Sequence, residues 1–184
     1  MKYIIYVLLF SIILSAQIAV TVGGGGPTTQ GEAVGSQTAT YYFDGYDEGE
    51  AWSDTPENFC DGSTETYTGW ESNDNRVQYF DENTCDGTDL GTIDKIEIRV
   101  FGKISGGANG FNLRAVFPGG DGDEHNLGSI SFSGDWSSYI DVTNDTNHPT
   151  WSWANVVALD AEVRVHVAGG SNAGAKVEVR VTYH

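Results

Sequence analysis

Basic residues are scarce. Nine Lys and Arg stand against 26 Asp and Glu, a net charge of −17. A field of that sign repels nucleic acid and anionic lipid headgroups, so nucleic acid is not an expected partner. Proline is scarce too, at four residues, whereas glycine reaches 24 and aromatics 12%. That mixture is too aromatic for a disordered chain and fits turn-rich β structure. Cysteine is limited to Cys60 and Cys85. Two thiols without a histidine cluster do not make a zinc site. Four histidines, His125, His148, His166 and His184, are spread through the second half. No Gly-x-Ser-x-Gly elbow accompanies them, and no spacing singles out a carboxylate pair. The expectation is therefore a chain without catalytic residues, and not an enzyme.

What is present is sharply divided. Tyr3 to Val22 is a 20-residue stretch with no charged residue, ended by Gly23-Gly24-Gly25-Gly26-Pro27. As a helix it would span about 30 Å, the thickness of a bilayer core. Its length exceeds the apolar region of a usual signal peptide, about 7–15 residues. Cleavage after Ala16 would place Leu14 at the −3 position, and cleavage after Ala19 would place Gln17 there. Both are poor sites, so the expectation is a retained apolar helix over residues 1–22. A Gly-rich linker over 23–37 and an acidic β domain over 38–184 would follow. Apolar side chains cover nearly every face of that helix, as burial on all sides requires. Ile4, Ile5, Val7, Leu8, Leu9, Ile12, Ile13, Leu14 and Ile18 are the candidate filament core. Gly23, Gly24, Gly25 and Gly26 are the candidate hinge, because glycine accepts backbone angles that other residues do not.

An apolar N-terminal helix ahead of a β-rich head resembles the archaeal type IV pilin-like subunits. The likeness lies in the order of parts; this stretch has no acidic residue near its start, as bacterial type IV pilins do. The resemblance implies a homopolymer built through the N-terminal helix, with membrane as the partner before assembly and an extracellular head. A signal peptide, a lone anchor and a filament core all remain readings of the same stretch.

The head reads as a β-sandwich of jelly-roll type. Ile96, Ile98 and Val100 alternate with Lys95, Glu97 and Arg99 over a predicted strand 92–103. Phe111, Leu113, Ala115 and Phe117 repeat the pattern. Further strands are predicted over 38–43, 65–68, 76–80, 127–132 and 138–142. Val163, Val165 and Val167, then Val177, Val179 and Val181, predict a closing hairpin turned by 169–174. A helical turn is expected over 153–159, with Trp136, Tyr139 and Trp151 plugging the sandwich. The run Trp136 to Thr143, with Trp151 to Val156 and the valine strands, resembles uncharacterised jelly-roll surface proteins of archaea and phages; this implies a fold and no activity.

Four smaller expectations concern sites. Cys60 and Cys85 predict a disulfide, worth about 3 kcal/mol in the chain-entropy picture. Asp121, Asp123 and Glu124, on a glycine-bent loop, are a calcium candidate, as is the cluster Asp44 to Glu48. No other cofactor is implied. Asn144 heads a sequon, Asn144-Asp145-Thr146. Trp52 and Trp70, with Tyr41, Tyr42, Tyr46 and Tyr67, are a possible platform for surface glycans. Between Glu32 and Asp89 there are 15 acids and one base, Arg76. The sequence thus predicts a structural subunit of a pilus-like filament, its head displayed for adhesion. A secreted or anchored carbohydrate-binding module and a virion surface protein are the alternatives.

Overall fold

A computed structural model describes residues 35–47, 52, 54–73, 76–106, 110–166 and 170–184. The chain divides into two compact units, Met1–Ala33 and Val34–His184. The predicted apolar helix, its core residues and the glycine hinge lie outside the described residues. Among the described residues no helix is long and apolar enough to cross a membrane.

The second unit is mainly β. Its elements are β1 (Gln37–Gly45), a 3-10 turn (Pro56–Phe59), β2 (Val77–Phe80), β3 (Glu82–Asn83), β4 (Ile93–Ser105) and β5 (Gly110–Phe117). They continue with β6 (Gly120–Asn126), β7 (Asp135–Trp136), β8 (Ile140–Asp141), α1 (Trp153–Val157), β9 (Asp160–His166) and β10 (Ser171–Tyr183). One sheet runs β3-β1-β10-β4-β7, with β8 also on β4; the other runs β2-β9-β5-β6. Every strand pairing is antiparallel.

Period-two alternation explains how the sheets stack. On β4, Ile96, Ile98 and Val100 are buried, and on β10 so are Val177, Val179 and Val181. They join one core with Phe111, Leu113 and Ala115 of β5 and with Val163 and Val165 of β9. Burying each of the Val, Leu, Ile and Phe side chains among them favours the fold by about 1.5–3 kcal/mol. Phe43, Trp52, Phe59 and Phe80 fill one part of this core, with Trp52 stacked on Phe111 at 6.0 Å and against Phe59 at 5.3 Å. Gly174 on β10 makes room for Phe59, whose ring occupies the place a Cβ would need.

The expected terminal hairpin is not formed. β9 pairs with β2 and β5, whereas β10 pairs with β1 and β4, so the two valine strands face each other across the core. Alternation determined which face is buried and left the neighbour open. The expected strands 65–68 and 127–132 are also absent, and β6 lies where a loop was expected. The expected helical turn is present: Ser152 caps α1 by accepting from the Asn155 N–H, and Trp153 and Val156 are buried. Asn83 clamps its end, donating to Val156 O at 2.9 Å and Leu159 O at 3.0 Å.

The expected disulfide is replaced by two free, buried thiols. Cys60 Sγ donates to the Gly45 carbonyl at 3.4 Å. Cys85 sits against the Tyr41 hydroxyl. Each thiol packs as a small apolar group with its own polar neighbour. Burial, followed by Asp81, Asp44 and Asp61, pushes the Cys60 thiol up to about 12.

Candidate functional site: a cation and aromatic face on the larger sheet

The outward side chains of β4 and β10 gather the chain's few cations. Lys95, Glu97, Arg99, Phe101 and Lys103 alternate with the core residues of β4, and Lys176, Glu178, Arg180 and Thr182 do so on β10. Five of the nine Lys and Arg in the chain therefore share one sheet face. The register places Glu178 opposite Arg99 and Glu97 opposite Arg180. Each glutamate lies between two cations. Glu97 meets Lys95 and Arg180, both at 2.7 Å, and Glu178 meets Arg99 at 2.7 Å and Lys176 at 3.3 Å. Burial alone would raise the Glu97 carboxyl, but Lys95 and Arg180 together outweigh it and hold it below the usual carboxylate range. The Glu97 bond in turn raises Lys95.

Aromatic rings cap the same cations. The Arg99 guanidinium lies 3.8 Å from the Trp136 ring and 4.3 Å from Tyr139, and Arg180 lies 3.8 Å from Tyr139. Lys176 lies 4.7 Å from Tyr42. Trp136 and Tyr139 thus cover the outside of a sheet, not the inside of the sandwich. Lys103 differs from the other four. It makes no ion pair among the described residues. Its ammonium rests 3.8 Å from Tyr67 and 5.2 Å from Trp70.

The segment carrying those two rings is fixed to β10 by backbone bonds. Thr68 N–H donates to Gly174 O at 2.9 Å, and Glu71 and Asn172 exchange two bonds at 2.8 Å. Thr68 Oγ1 accepts from Gly174 N–H at 3.1 Å. Tyr67 packs against Phe101 at 6.2 Å, and its hydroxyl occupies the place a Cβ on Gly134 (φ +94°) would need. Trp70 remains 48% exposed.

No protein-family model and no curated protein matches this chain. Among solved structures, dimeric latent PorU from Porphyromonas gingivalis is similar over 80% of this chain, at 13% identity and a TM-score of 0.38. The match spans 13% of the length of PorU. A likeness that slight carries no argument about this chain.

The six aromatics expected as a sugar platform do not converge. Trp52 is 2% exposed inside the core. Tyr41 and Tyr46 pack against the core edge, and Tyr42 belongs to the Lys176 contact. Tyr67 and Trp70 remain together, with Lys103 as a third member that the sequence did not flag. Its outward phase on β4 was legible, but the loop that folds over it was not.

The calcium candidates are dispersed by strand geometry. Asp121 and Glu124 both face Arg114, at 3.0 Å and 3.6 Å. Asp123 instead accepts from the Thr146 hydroxyl at 2.8 Å, which lowers its carboxyl below the usual range. Because these residues lie on β6, they cannot converge on one point as they would in a loop. Asp44 lies on β1, one residue before its end, and Glu48 lies outside the described residues. No group of three or more metal-ligating side chains occurs among the described residues. The turn after β8 holds Asn144, which is exposed. That turn is pinned to β6 by Thr146 and by Asp145, buried and 2.9 Å from His125 Nε2. No residue pattern announces this His–Asp pair.

A separate open cavity of about 460 Å³ is lined by Asp89, Thr92, Trp151, Ser152 and Trp153. Both indole N–H groups are already used, donating to Thr143 O at 2.9 Å and Gly91 O at 2.8 Å. Trp153 is 5% exposed, so it offers a ligand little ring surface.

Proposed function

We propose that the chain is a structural subunit of an extracellular, pilus-like filament. The uncharged stretch Tyr3–Val22 assembles copies through its apolar surface, having lain in a membrane beforehand, and the β head is displayed for adhesion. The observation that carries this reading is the division of the chain. A unit holding the 20-residue uncharged run precedes a separate, acidic β unit that begins at Val34. An apolar run of that length has to be covered by lipid or by protein. Neighbouring copies supply that cover in a filament. The acidic heads keep the assembly soluble through mutual repulsion. The jelly-roll-like head in this reading carries out no reaction.

Mass spectrometry of the protein taken from the cell surface tests the proposal. A native N-terminus that retains the run through Val22 supports it. A start beyond Val20 rules out assembly through that stretch. The second reading, a secreted or anchored carbohydrate-binding module, is favoured by Trp70, which stays half exposed beside Tyr67 and Lys103. That module would show glycan binding with no filaments.

A further inference from the structure

We propose that Tyr67, Trp70 and Lys103 form a binding site for an acidic sugar, one whose ring bears a carboxylate or a sulfate. The inference rests on the head being adhesive, and it does not depend on filament assembly.

Four observations point to this ligand class. Trp70 is the exposed aromatic of the group, and a flat indole in water suits the C–H face of a pyranose. Lys103 is a compact point charge that makes no ion pair among the described residues, in a chain where acids outnumber bases almost three to one. Its position against two rings removes part of its hydration, which strengthens its attraction for an anion. The platform is also preorganised. Backbone bonds from Thr68 and Glu71 to β10 hold the rings in place before any ligand arrives, so little ordering is left for binding.

The overall negative charge works against an anionic ligand at long range. At physiological salt, however, the field of each charge is screened over about 8 Å, so a single bound residue is governed by the charges on this face. Here four cations, Lys95, Arg99, Lys176 and Arg180, pair with the carboxylates of Glu97, Glu178 and Asp141, and Lys103 adds a fifth positive charge outside those pairs.

Isothermal titration of the full-length protein in detergent tests the assignment. Three probes are used: an oligogalacturonate, a sulfated oligosaccharide and a neutral maltohexaose. Binding of an acidic probe, with the neutral one at least about 10-fold weaker, is the expected result. Oligogalacturonate and the sulfated probe distinguish carboxylate from sulfate. Trp70→Ala and Lys103→Gln are each expected to weaken the acidic probe by at least about 10-fold. Arg114→Gln, on the opposite sheet, should leave it unchanged. Both Trp70 and Lys103 lie outside the core, and a retained circular dichroism spectrum verifies folding.

Equal binding of the neutral probe overturns the proposal, as does unchanged affinity in both platform variants or no binding of any probe. Self-association abolished by Lys103→Gln, in place of glycan binding, assigns the face to a second copy and overturns it as well. Electron microscopy of the same samples separates the two proposals. Glycan binding without filaments sinks the assembly reading and leaves this one standing; filaments without glycan binding do the reverse.

Discussion

Glu178 is the best place to measure what the charged face contributes to stability. Its Oε2 accepts from Arg99 Nε at 3.0 Å and Nη2 at 2.7 Å, and from the Tyr139 hydroxyl at 3.3 Å. Its other oxygen faces Lys176 at 3.3 Å. The Glu178 side chain is 10% exposed, while Arg99 is 24% exposed. Glu178→Gln keeps the shape and removes the charge. Losing one partner of a fully buried pair costs about 3–5 kcal/mol. An exposed pair is worth about 0.2–1 kcal/mol. Arg99 keeps its stacking on Trp136 and Tyr139 and some access to water, and glutamine can still accept a bond. The loss should therefore fall between these limits, at about 2 kcal/mol. For a chain of this size that lowers Tm by roughly 4–8 °C. Urea unfolding followed by tryptophan fluorescence, with calorimetry alongside, measures both quantities. The double variant Glu178→Leu with Arg99→Met should recover part of the loss, because Arg99 is removed together with its partner and only Lys176 is left without one. A single-variant loss below about 0.5 kcal/mol would show that the lattice is an ordinary surface pair and refute the reasoning.

Other tests concern the thiols, the buried acids and calcium. Iodoacetamide added to denatured protein without reductant should modify both Cys60 and Cys85; no modification would reinstate the disulfide. In the folded state Cys60 should stay unmodified at pH 8, since burial and neighbouring acids hold its thiol near 12. Burial, then Asp81, raises Asp160 to about 6 in the fold, from an ordinary 3.8. A raised acid contributes stability below its unfolded value and loses it as pH climbs through the folded value. Asp160→Asn should therefore raise Tm at pH 7.5 and leave it unchanged near pH 3.5; equal effects at both would contradict the assignment. Chelator dialysis, and then addition of millimolar calcium, should leave Tm unchanged, because Arg114 and Thr146 already hold Asp121, Asp123 and Glu124. A calcium-dependent rise in Tm that vanishes in Asp123→Asn would restore the metal site.

Much of the fold was legible because alternation is a local signal. Ile96, Ile98 and Val100 announced both the strand and its buried face, and β5, β9 and β10 did likewise. Pairing is not local, so the two valine strands read as a hairpin although they belong to different sheets. β6 was missed because it is an edge strand with little buried surface, and Gly120 to Asn126 carries no apolar residue to reveal a period. Phe132 misled in the opposite sense: a β-type segment ends in a side chain that is 66% exposed. The candidate site was half legible. Tyr67 and Trp70 were visible as aromatics in an acidic stretch, and Lys103 as an outward residue on a strand. The pairing of Glu71 with Asn172 and the bonds between Thr68 and Gly174 bring them together, and no residue pattern encodes those contacts.

The most direct test of the central claim is electron microscopy of the full-length protein carrying Leu9→Glu and Ile13→Glu, beside the unaltered chain. The account predicts filaments from the unaltered chain and none from the variant, because a carboxylate has no place in an apolar core. Filaments of unchanged form in the variant would contradict assembly through Tyr3–Val22.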